Sequence, residues 1–233
     1  YFGVFHLANI TEISAGESAY REIRNRIVSL DLKPNQTIGE TYLADELGMS
    51  RTPIREALTR LSSEGLIDFR SRAGTIVSPI RFDAVISAQY VREKLELAII
   101  EEAVKVKSKR AVFNIRQAID EQQFAILEGD TAGFFVADER MHRHFSEMTD
   151  RVAVWSVISE AKKHMDRVRR LSLQKIDLNV LLSDHLLILE AIENHDVDAA
   201  RSIVTTHLRR VMHDLDNLAE QHSDYFELAK SEK

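Results

Sequence analysis

The prolines of this 233-residue chain are confined to its first third, at Pro34, Pro53 and Pro79. A proline inside a helix removes a backbone hydrogen bond and clashes with the preceding turn, so residues 80–233 are free to be entirely helical. Apolar residues at helical spacing fill this stretch. The pattern is broken near residues 107–110, 128–130, 149–150, 172–177 and 194–196, which predicts six antiparallel helices of about 18 to 25 residues each.

Residues 40–67 have the pattern of two short helices joined by a tight turn. Leu43 and Leu47 lie at helical spacing, and Gly48 can adopt the positive φ that ends a helix. Ser50 is a good N-cap for the second helix, whose apolar stripe leaves polar side chains on its other faces. Such a helix in the major groove contacts phosphates and base edges. The predicted DNA contacts in this segment are Thr41, Ser50, Arg51, Thr52, Pro53, Arg55 and Arg60.

After Gly65 the pattern changes to two short β-runs around a basic turn, which is typical of a β-hairpin wing. The wing adds Arg72 and Gly74 to the predicted DNA contacts. From Ser50 to Arg72 there are five arginines and three acids, although the whole chain has a formal net charge of −6. Positive charge is therefore concentrated where a phosphate backbone would lie. The alternative is an ordinary three-helix domain whose arginines form a solvated surface.

The segment Pro79–Asp83 is predicted to link two domains, with Asp83 as the N-cap of the first helix beyond it. The predicted domains are residues 1–80, a winged helix-turn-helix DNA-binding domain, and residues 81–233, an all-helical effector-binding and dimerisation domain. The predicted fold class is mainly α, a winged helix-turn-helix followed by an all-α antiparallel six-helix bundle.

The segment Ser50–Leu58, together with Glu64, Gly65 and Leu66, resembles the signature of the GntR family of bacterial winged-helix repressors. The likeness covers roughly residues 15 to 78. Asn35 stands where the family usually has Gly, and Asn tolerates the left-handed conformation. Ala73 interrupts a wing tip that is more often Gly-Arg-Gly. The resemblance implies a repressor that binds double-stranded operator DNA.

Composition limits the setting in which the chain works. It has no cysteine, which excludes disulfides and thiolate chemistry and fits a cytoplasmic protein. Its overall acidity argues against nonspecific coating of nucleic acid. The apolar segment Tyr1–Ile10 has no basic flank and is too short to span a bilayer, so it is interpreted as a tail or as a segment that packs on a neighbour.

Four side chains in the second domain have the types and spacing of a metal site. Asp138 and His142 lie four residues apart on one predicted helix, while His185 and His207 lie among apolar residues of two others. A shared divalent cation would satisfy all four polar groups in the bundle interior. One carboxylate with three imidazoles suits Zn²⁺, Ni²⁺ or Mn²⁺ better than Ca²⁺. The alternative is that Asp138 and His142 are a pair of the kind common on exposed helices, and that His185 and His207 are ordinary helix residues that bond to carbonyls.

Three motifs in residues 84–220 are similar to those of the FCD effector-binding domain, the C-terminal partner in the FadR branch of the GntR family. They contain the same four residues, Asp138, His142, His185 and His207, and members with this set usually hold a metal at the floor of the pocket. The other histidines match no motif position and are interpreted as surface or packing residues.

Arg92 and Glu96 resemble a pair that the same family carries as Arg-x-x-x-Glu. A guanidinium beside a cation can hold the carboxylate of a small metabolite bidentately, which makes the pair candidate effector contacts. The alternative is a surface ion pair worth about 0.3 to 0.5 kcal/mol. Arg169 and Arg170 are a second candidate, but Arg167 beside them is typical of a solvated basic face.

These features predict a ligand-responsive regulator that binds a short DNA palindrome as a homodimer and whose winged helices are respaced by a small organic acid. One alternative is a metal-dependent hydrolase or isomerase fused to a DNA-binding module, although no general base is evident beyond the ligands. Another is a constitutive architectural DNA binder, which would need a broader basic surface.

Overall fold

The computed structural model describes residues 13–227, so the apolar segment 1–10 lies outside the described residues. The chain divides into two compact units, one of residues 13–27 and 31–78 and the other of residues 28–30 and 79–227. The prediction of a mainly helical fold with a small sheet in the N-terminal unit is confirmed. None of the helices within 13–227 has the length and apolar character needed to cross a membrane.

The first unit has the helix and strand order of a winged helix-turn-helix. Its strand β3 lies at the centre of an antiparallel sheet, with Ile76 opposite Thr37 of β1 and Val77 opposite Ile67 of β2. The predicted wing is therefore present as the β2–β3 hairpin, and β1 is a further strand that the sequence pattern did not predict. The elements are α1 (Ala15–Val28), β1 (Thr37–Ile38), α2 (Glu40–Leu47), α3 (Arg51–Ser63), β2 (Ile67–Arg70) and β3 (Gly74–Val77).

The turn between α2 and α3 follows the sequence prediction. Gly48 has a φ of 62°, and its N–H bonds back to the last turn of α2. A β-carbon is disfavoured at such a φ, which explains the glycine. Ser50 is extended and precedes the first residue of α3. The apolar stripe of α3, including Ile54 and Leu58, is fully buried in the core of this unit. The opposite face of α3 is therefore left to the polar side chains.

The described part of the second unit contains eight helices, because two of the six predicted helices are each interrupted. The fourth is broken at Lys162 and the sixth at Asp214. Neither break has a proline or a glycine, so the periodic pattern gave no sign of it. The helices are α4 (Phe82–Ala103), α5 (Lys109–Glu128), α6 (Thr131–Met148), α7 (Val152–Ala161), α8 (Lys163–Leu173), α9 (Leu178–Glu193), α10 (Val197–His213) and α11 (Leu215–Gln221).

The second unit begins at a short paired segment rather than at a helix cap. The N–H of Ile80 donates to the carbonyl of Tyr225 at 2.8 Å, and Arg167 of α8 donates to the carbonyl of Pro79 at 3.2 Å. These bonds hold the chain extended up to Arg81, and α4 starts directly after it. The prediction of Asp83 as N-cap is therefore wrong, since Asp83 already lies within the first turn of α4.

The predicted joins between neighbouring helices are confirmed. Gly129 has a φ of 68° at the end of α5, and the carboxylate of Asp130 then accepts from the N–H of Gly133 to cap α6. Asp196 caps α10 in the same way, through the N–H of Ala199. Helix α4 packs against α6, α7, α8 and α10. Side chains from α4, α6, α8 and α10 therefore meet in the interior of the bundle.

Candidate functional sites

Helix α3 presents two arginines to solvent. The side chains of Arg51 and Arg55 are 62% and 66% exposed. Thr52 and Thr59 are exposed as well, whereas Pro53 is buried. Pro53 therefore shapes the start of the helix and offers no contact surface. A helix with arginine and threonine on its free face has the donors that base edges and phosphates accept.

The other predicted DNA contacts divide into two groups. Thr41, Ser50, Arg72 and Gly74 are exposed, with Arg72 in the turn between β2 and β3. Arg60 instead contributes to the packing of α3 on α1. Its guanidinium lies 3.5 Å from the centre of the Tyr20 ring and pairs with Glu17 at 2.8 Å.

Four buried side chains in the second unit converge on one point. Asp138 and His142 come from α6, His185 from α9 and His207 from α10. One potential ligand atom from each lies within 4.8 Å of the others. The Nε2 atom of His185 is 3.3 Å from Asp138 Oδ1 and 3.3 Å from His207 Nε2. The sequence prediction that these four residues share an interior site therefore agrees with where they lie.

Each histidine of this cluster has its other ring nitrogen against a polar side chain. The Nδ1 atom of His185 is 2.5 Å from the amide oxygen of Gln122. The Nδ1 atoms of His142 and His207 face carboxylates, at 2.6 Å and 3.4 Å, although neither pair is aligned as a hydrogen bond. The carboxylates are Glu96 and Asp184. Such partners orient the rings of metal-binding histidines. The Nε2 atom of His142 lies 3.8 Å from Asp138 Oδ1 at the shared centre, and Arg92 Nη2 is 3.2 Å from it.

Glu96 therefore lies behind His142, which differs from the predicted role in effector binding. Its carboxylate also pairs with Arg92 at 2.6 Å, and both side chains are buried, so the pair is not on the surface. Burial opposes ionisation of Glu96, but the charge of Arg92, together with the contact to His142, outweighs it and holds the pKa of this carboxyl well below its ordinary value. Glu96 thus carries a negative charge into the interior.

Arg169 of α8 is a part of the site that the sequence prediction underrated. Its guanidinium bonds to Asp138 and Glu139, and it lies 3.1 Å from Asp166. The prediction of a solvated basic face on α8 is wrong, because Arg167 and Arg169 are both buried. Asp166 lies three residues before Arg169, so the two opposite charges fall on one face of the helix. This spacing in the sequence could have indicated that Arg169 is paired rather than solvated.

The charge of Arg169 sets the state of the carboxylates around it. Burial opposes ionisation of Asp138, but the neighbouring cation overcomes this and keeps the pKa of Asp138 well below its usual range. Glu139 is affected in the same way by Lys162 and Arg169, which lower its pKa to about 2 against the effect of burial. Burial acts in the opposite sense on the imidazoles, lowering the pKa of His185 and of His207. Neutral histidines and an ionised Asp138 are the forms that coordinate metals.

A cavity of about 410 Å³, counting the space open to solvent, adjoins the four-residue cluster. Asp138 and His207 form part of its wall, together with three arginines, Arg92, Arg169 and Arg210. Arg210 was not predicted, and it holds Asp184 through two bonds of 2.6 and 2.9 Å. The remaining wall is mostly apolar and consists of Ser172, Leu173, Ile176, Leu181, Leu208 and Val211. A mainly apolar cleft with a few convergent polar groups is the usual form of a small-ligand site.

The chain combines a winged helix-turn-helix with exposed arginines and a helical unit with a mainly apolar cleft. This combination is typical of a transcription regulator with a DNA-reading part and a sensing part. Comparison with known proteins agrees. Residues 15–77 match the bacterial regulatory proteins, gntR family, and residues 89–210 match the FCD domain.

Relatives are similar along most of the chain. It is 32% identical over 208 residues to an uncharacterized HTH-type transcriptional regulator in an unstable DNA locus of Streptomyces ambofaciens, covering 89% of this chain and 87% of the relative. It is 28% identical over 211 residues to the HTH-type transcriptional repressor RspR of Escherichia coli strain K12, covering 90% and 92%. The solved structure of E. coli McbR/YncC has the same fold, with a TM-score of 0.77 at 19% identity over 91% of this chain and 100% of that one.

The chain belongs to the GntR family of bacterial transcription regulators and carries an FCD domain in its second unit. Both matched domains occur in transcription regulators, and both relatives are described as transcription regulators. The alternative of a hydrolase or isomerase is therefore not supported, and the protein is a regulator rather than an enzyme.

Replacing Arg169 by Met should destabilise the second unit by about 3 to 5 kcal/mol, because the change removes the cation that pairs with the buried carboxylate of Asp138. Arg143→Met is a matched control, since Arg143 forms an exposed pair with Glu147 and its loss should cost less than about 1 kcal/mol. The fluorescence of Trp155, the single tryptophan of the chain, reports urea unfolding of this unit. Equal losses in the two variants would show that Arg169 has no special part in the site.

Proposed function

We propose that this regulator binds a short palindromic operator as a homodimer and responds to a small carboxylate metabolite held with a divalent metal in its second unit. The observation that carries the proposal is the convergence of Asp138, His142, His185 and His207 beside a cavity with three arginines on its wall. Since its target is bacterial DNA, we place its action in the cytoplasm.

In the DNA-binding part, Arg51 and Arg55 read base edges from the first turns of α3. Both are exposed, and a bidentate contact from Arg to guanine is the commonest specific contact in the major groove. Arg72 at the tip of the wing holds the sugar-phosphate backbone. Thr41, Ser50, Thr52 and Gly74 supply further contacts, and Arg60, whose side chain stays half-exposed beside Tyr20, mainly holds the backbone.

Arg51→Ala and Arg55→Ala should each weaken operator binding by about 1 to 3 kcal/mol and relax the preference at one base pair. Arg72→Ala should weaken binding to every sequence and reduce the salt slope of the affinity by about one, because it removes a phosphate contact. Fluorescence anisotropy on operator variants and on a scrambled duplex measures both effects. Retention of full operator discrimination by both α3 variants would contradict the assignment.

In the second unit, Asp138, His142, His185 and His207 would hold the metal ion. The residues fit this role, because the imidazole nitrogens away from the centre face Glu96, Gln122 and Asp184. Three imidazoles and one carboxylate suit Zn²⁺, Ni²⁺ or Mn²⁺. When bound, such an ion supplies a Lewis-acidic contact for an oxygen atom of the effector.

The charge balance supports an acidic effector. The contacts around Asp138 link four carboxylates to three cations, so the network has one negative charge in excess when its histidines are neutral. A divalent cation would reverse this to one positive charge, which a single carboxylate would neutralise. Arg92 and Arg210 on the cavity wall have planar guanidinium groups of the kind that bind carboxylates in two-point contacts.

Protein purified without chelators should contain about one divalent ion per chain, and His207→Ala should lose it. His144→Ala is the matched control, because His144 lies near His142 on α6 but pairs with Glu147 outside the cluster. Chelation should lower the melting temperature of the wild type, since an ion bound only by the folded state stabilises it. Elemental analysis and thermal unfolding provide the measurements.

An occupancy near zero together with the lack of any thermal shift on adding Zn²⁺, Ni²⁺ or Mn²⁺ would rule out the metal. The effector is tested on the same samples with a panel of small mono- and dicarboxylates. Arg92→Met should lose the thermal shift that an acid causes. A panel that shifts neither the melting temperature nor the operator affinity would argue against an acidic effector.

We also propose that the second unit forms the dimer interface. One helix-turn-helix contacts too little DNA for regulatory specificity, whereas a two-fold dimer contacts two half-sites. Light scattering at micromolar concentration should give twice the chain mass, and residues 79–233 expressed alone should also dimerise. A monomer with and without operator DNA would contradict the proposal.

A further inference from the structure

Glu40, the first residue of α2, bonds to both of the exposed arginines on α3. Its carboxylate accepts from Arg55 Nη2 at 2.9 Å and Nε at 3.3 Å, and from Arg51 Nη2 at 3.4 Å. The side chain of Glu40 is 23% exposed, much less than either arginine. The carboxylate is thus the more fixed member of the group. It lies at a helix N-terminus, where a negative charge is favoured.

The ion pairs of Glu40 with Arg51 and Arg55 contribute little to the stability of the fold. Exposed ion pairs contribute about 0 to 1 kcal/mol, because water screens them and two flexible side chains must be ordered. Their position on the exposed face of α3 affects instead which partners the two arginines can bind. Two arginines that could bind any phosphate are held by an anion of the protein itself, and Arg55 makes with it the two-point contact that it would make with a guanine.

We propose that Glu40 determines specificity by restraining Arg51 and Arg55 until a suitable base edge replaces it. Guanine presents two adjacent acceptors, O6 and N7, which match the two oxygens that Arg55 would give up. In arbitrary DNA no guanine edge lies in register with Arg55, so the pair with Glu40 is given up there without a matching acceptor in the groove. Glu40 therefore weakens binding to arbitrary DNA more than binding to the operator. The inference depends on the proposed base-reading role of the two arginines.

The test compares Glu40→Gln with Glu46→Gln in the full chain. Both substitutions remove one negative charge from α2, but Glu46 pairs with Arg26 of α1 at 2.9 Å and not with α3. The operator is selected from random duplexes with the wild-type protein. Binding constants for the operator and for a scrambled duplex of equal length are then measured by anisotropy at two salt concentrations.

Glu40→Gln should tighten binding to the scrambled duplex by about fivefold and increase its salt slope by about one to two. It should tighten operator binding less, and so reduce the ratio of operator to scrambled affinity by about twofold or more. Glu46→Gln should change both affinities by the same small factor. In an Arg55→Ala background the effect of Glu40→Gln should fall to about half or less, because one restrained arginine is gone. Thermal unfolding verifies that each variant is folded.

An unchanged or increased affinity ratio in Glu40→Gln, or an effect equal to that of Glu46→Gln, would overturn the proposal. Failure of the base-reading role gives a different result. In that case Arg51→Ala and Arg55→Ala retain operator discrimination, whatever Glu40→Gln does. If the arginine variants lose discrimination and Glu40→Gln keeps it, only the restraint by Glu40 is wrong.

Discussion

The pairing of buried charges is the constraint on which the second unit depends. An ionised group taken out of water is costly unless a partner of opposite charge and hydrogen bonds replace the solvent. Arg169 provides such a partner to Asp138, as Lys162 does to Asp166 at 2.7 Å and Arg92 to Glu96. Hydrophobic residues of equal volume would pack as well at less cost. The retention of so many charges in one place therefore supports the proposal that this centre binds a metal ion and an acidic effector.

In the first unit, the ion pairs of the arginines on α3 are exposed to solvent rather than buried. Arg51 and Arg55 contact Glu40 in water, where the pair is weak and easily exchanged. Arg169 of α8 contacts its carboxylates in the interior, where exchange needs another charged group to enter. The protein thus has labile ion pairs at the surface proposed to contact DNA and durable ion pairs around the cavity.

The sequence predicts the fold where local chemistry determines it. Gly48, Ser50 and Asp130 mark helix ends because each offers a backbone or side-chain conformation that a cap requires. The breaks at Lys162 and Asp214 escape such reasoning, since nothing local forbids a continuous helix there. The four-residue cluster follows from spacing and family resemblance. The roles of Gln122, Arg169 and Arg210 depend on contacts between residues distant in sequence, and a periodic pattern does not contain them.

Helix α8 connects two parts of the second unit that are otherwise far apart in sequence. Arg169 bonds to Asp138 of the cluster, and Arg167 on the same helix bonds to the carbonyl of Pro79, where the unit begins. Two residues of an α-helix span about 3 Å, and the hydrogen-bonded backbone between them does not stretch. A displacement of α8 along its axis would therefore act on both contacts, the one to Asp138 and the one to Pro79. The segment that begins the second unit at Pro79 is in this way tied to the helix that lines the cavity.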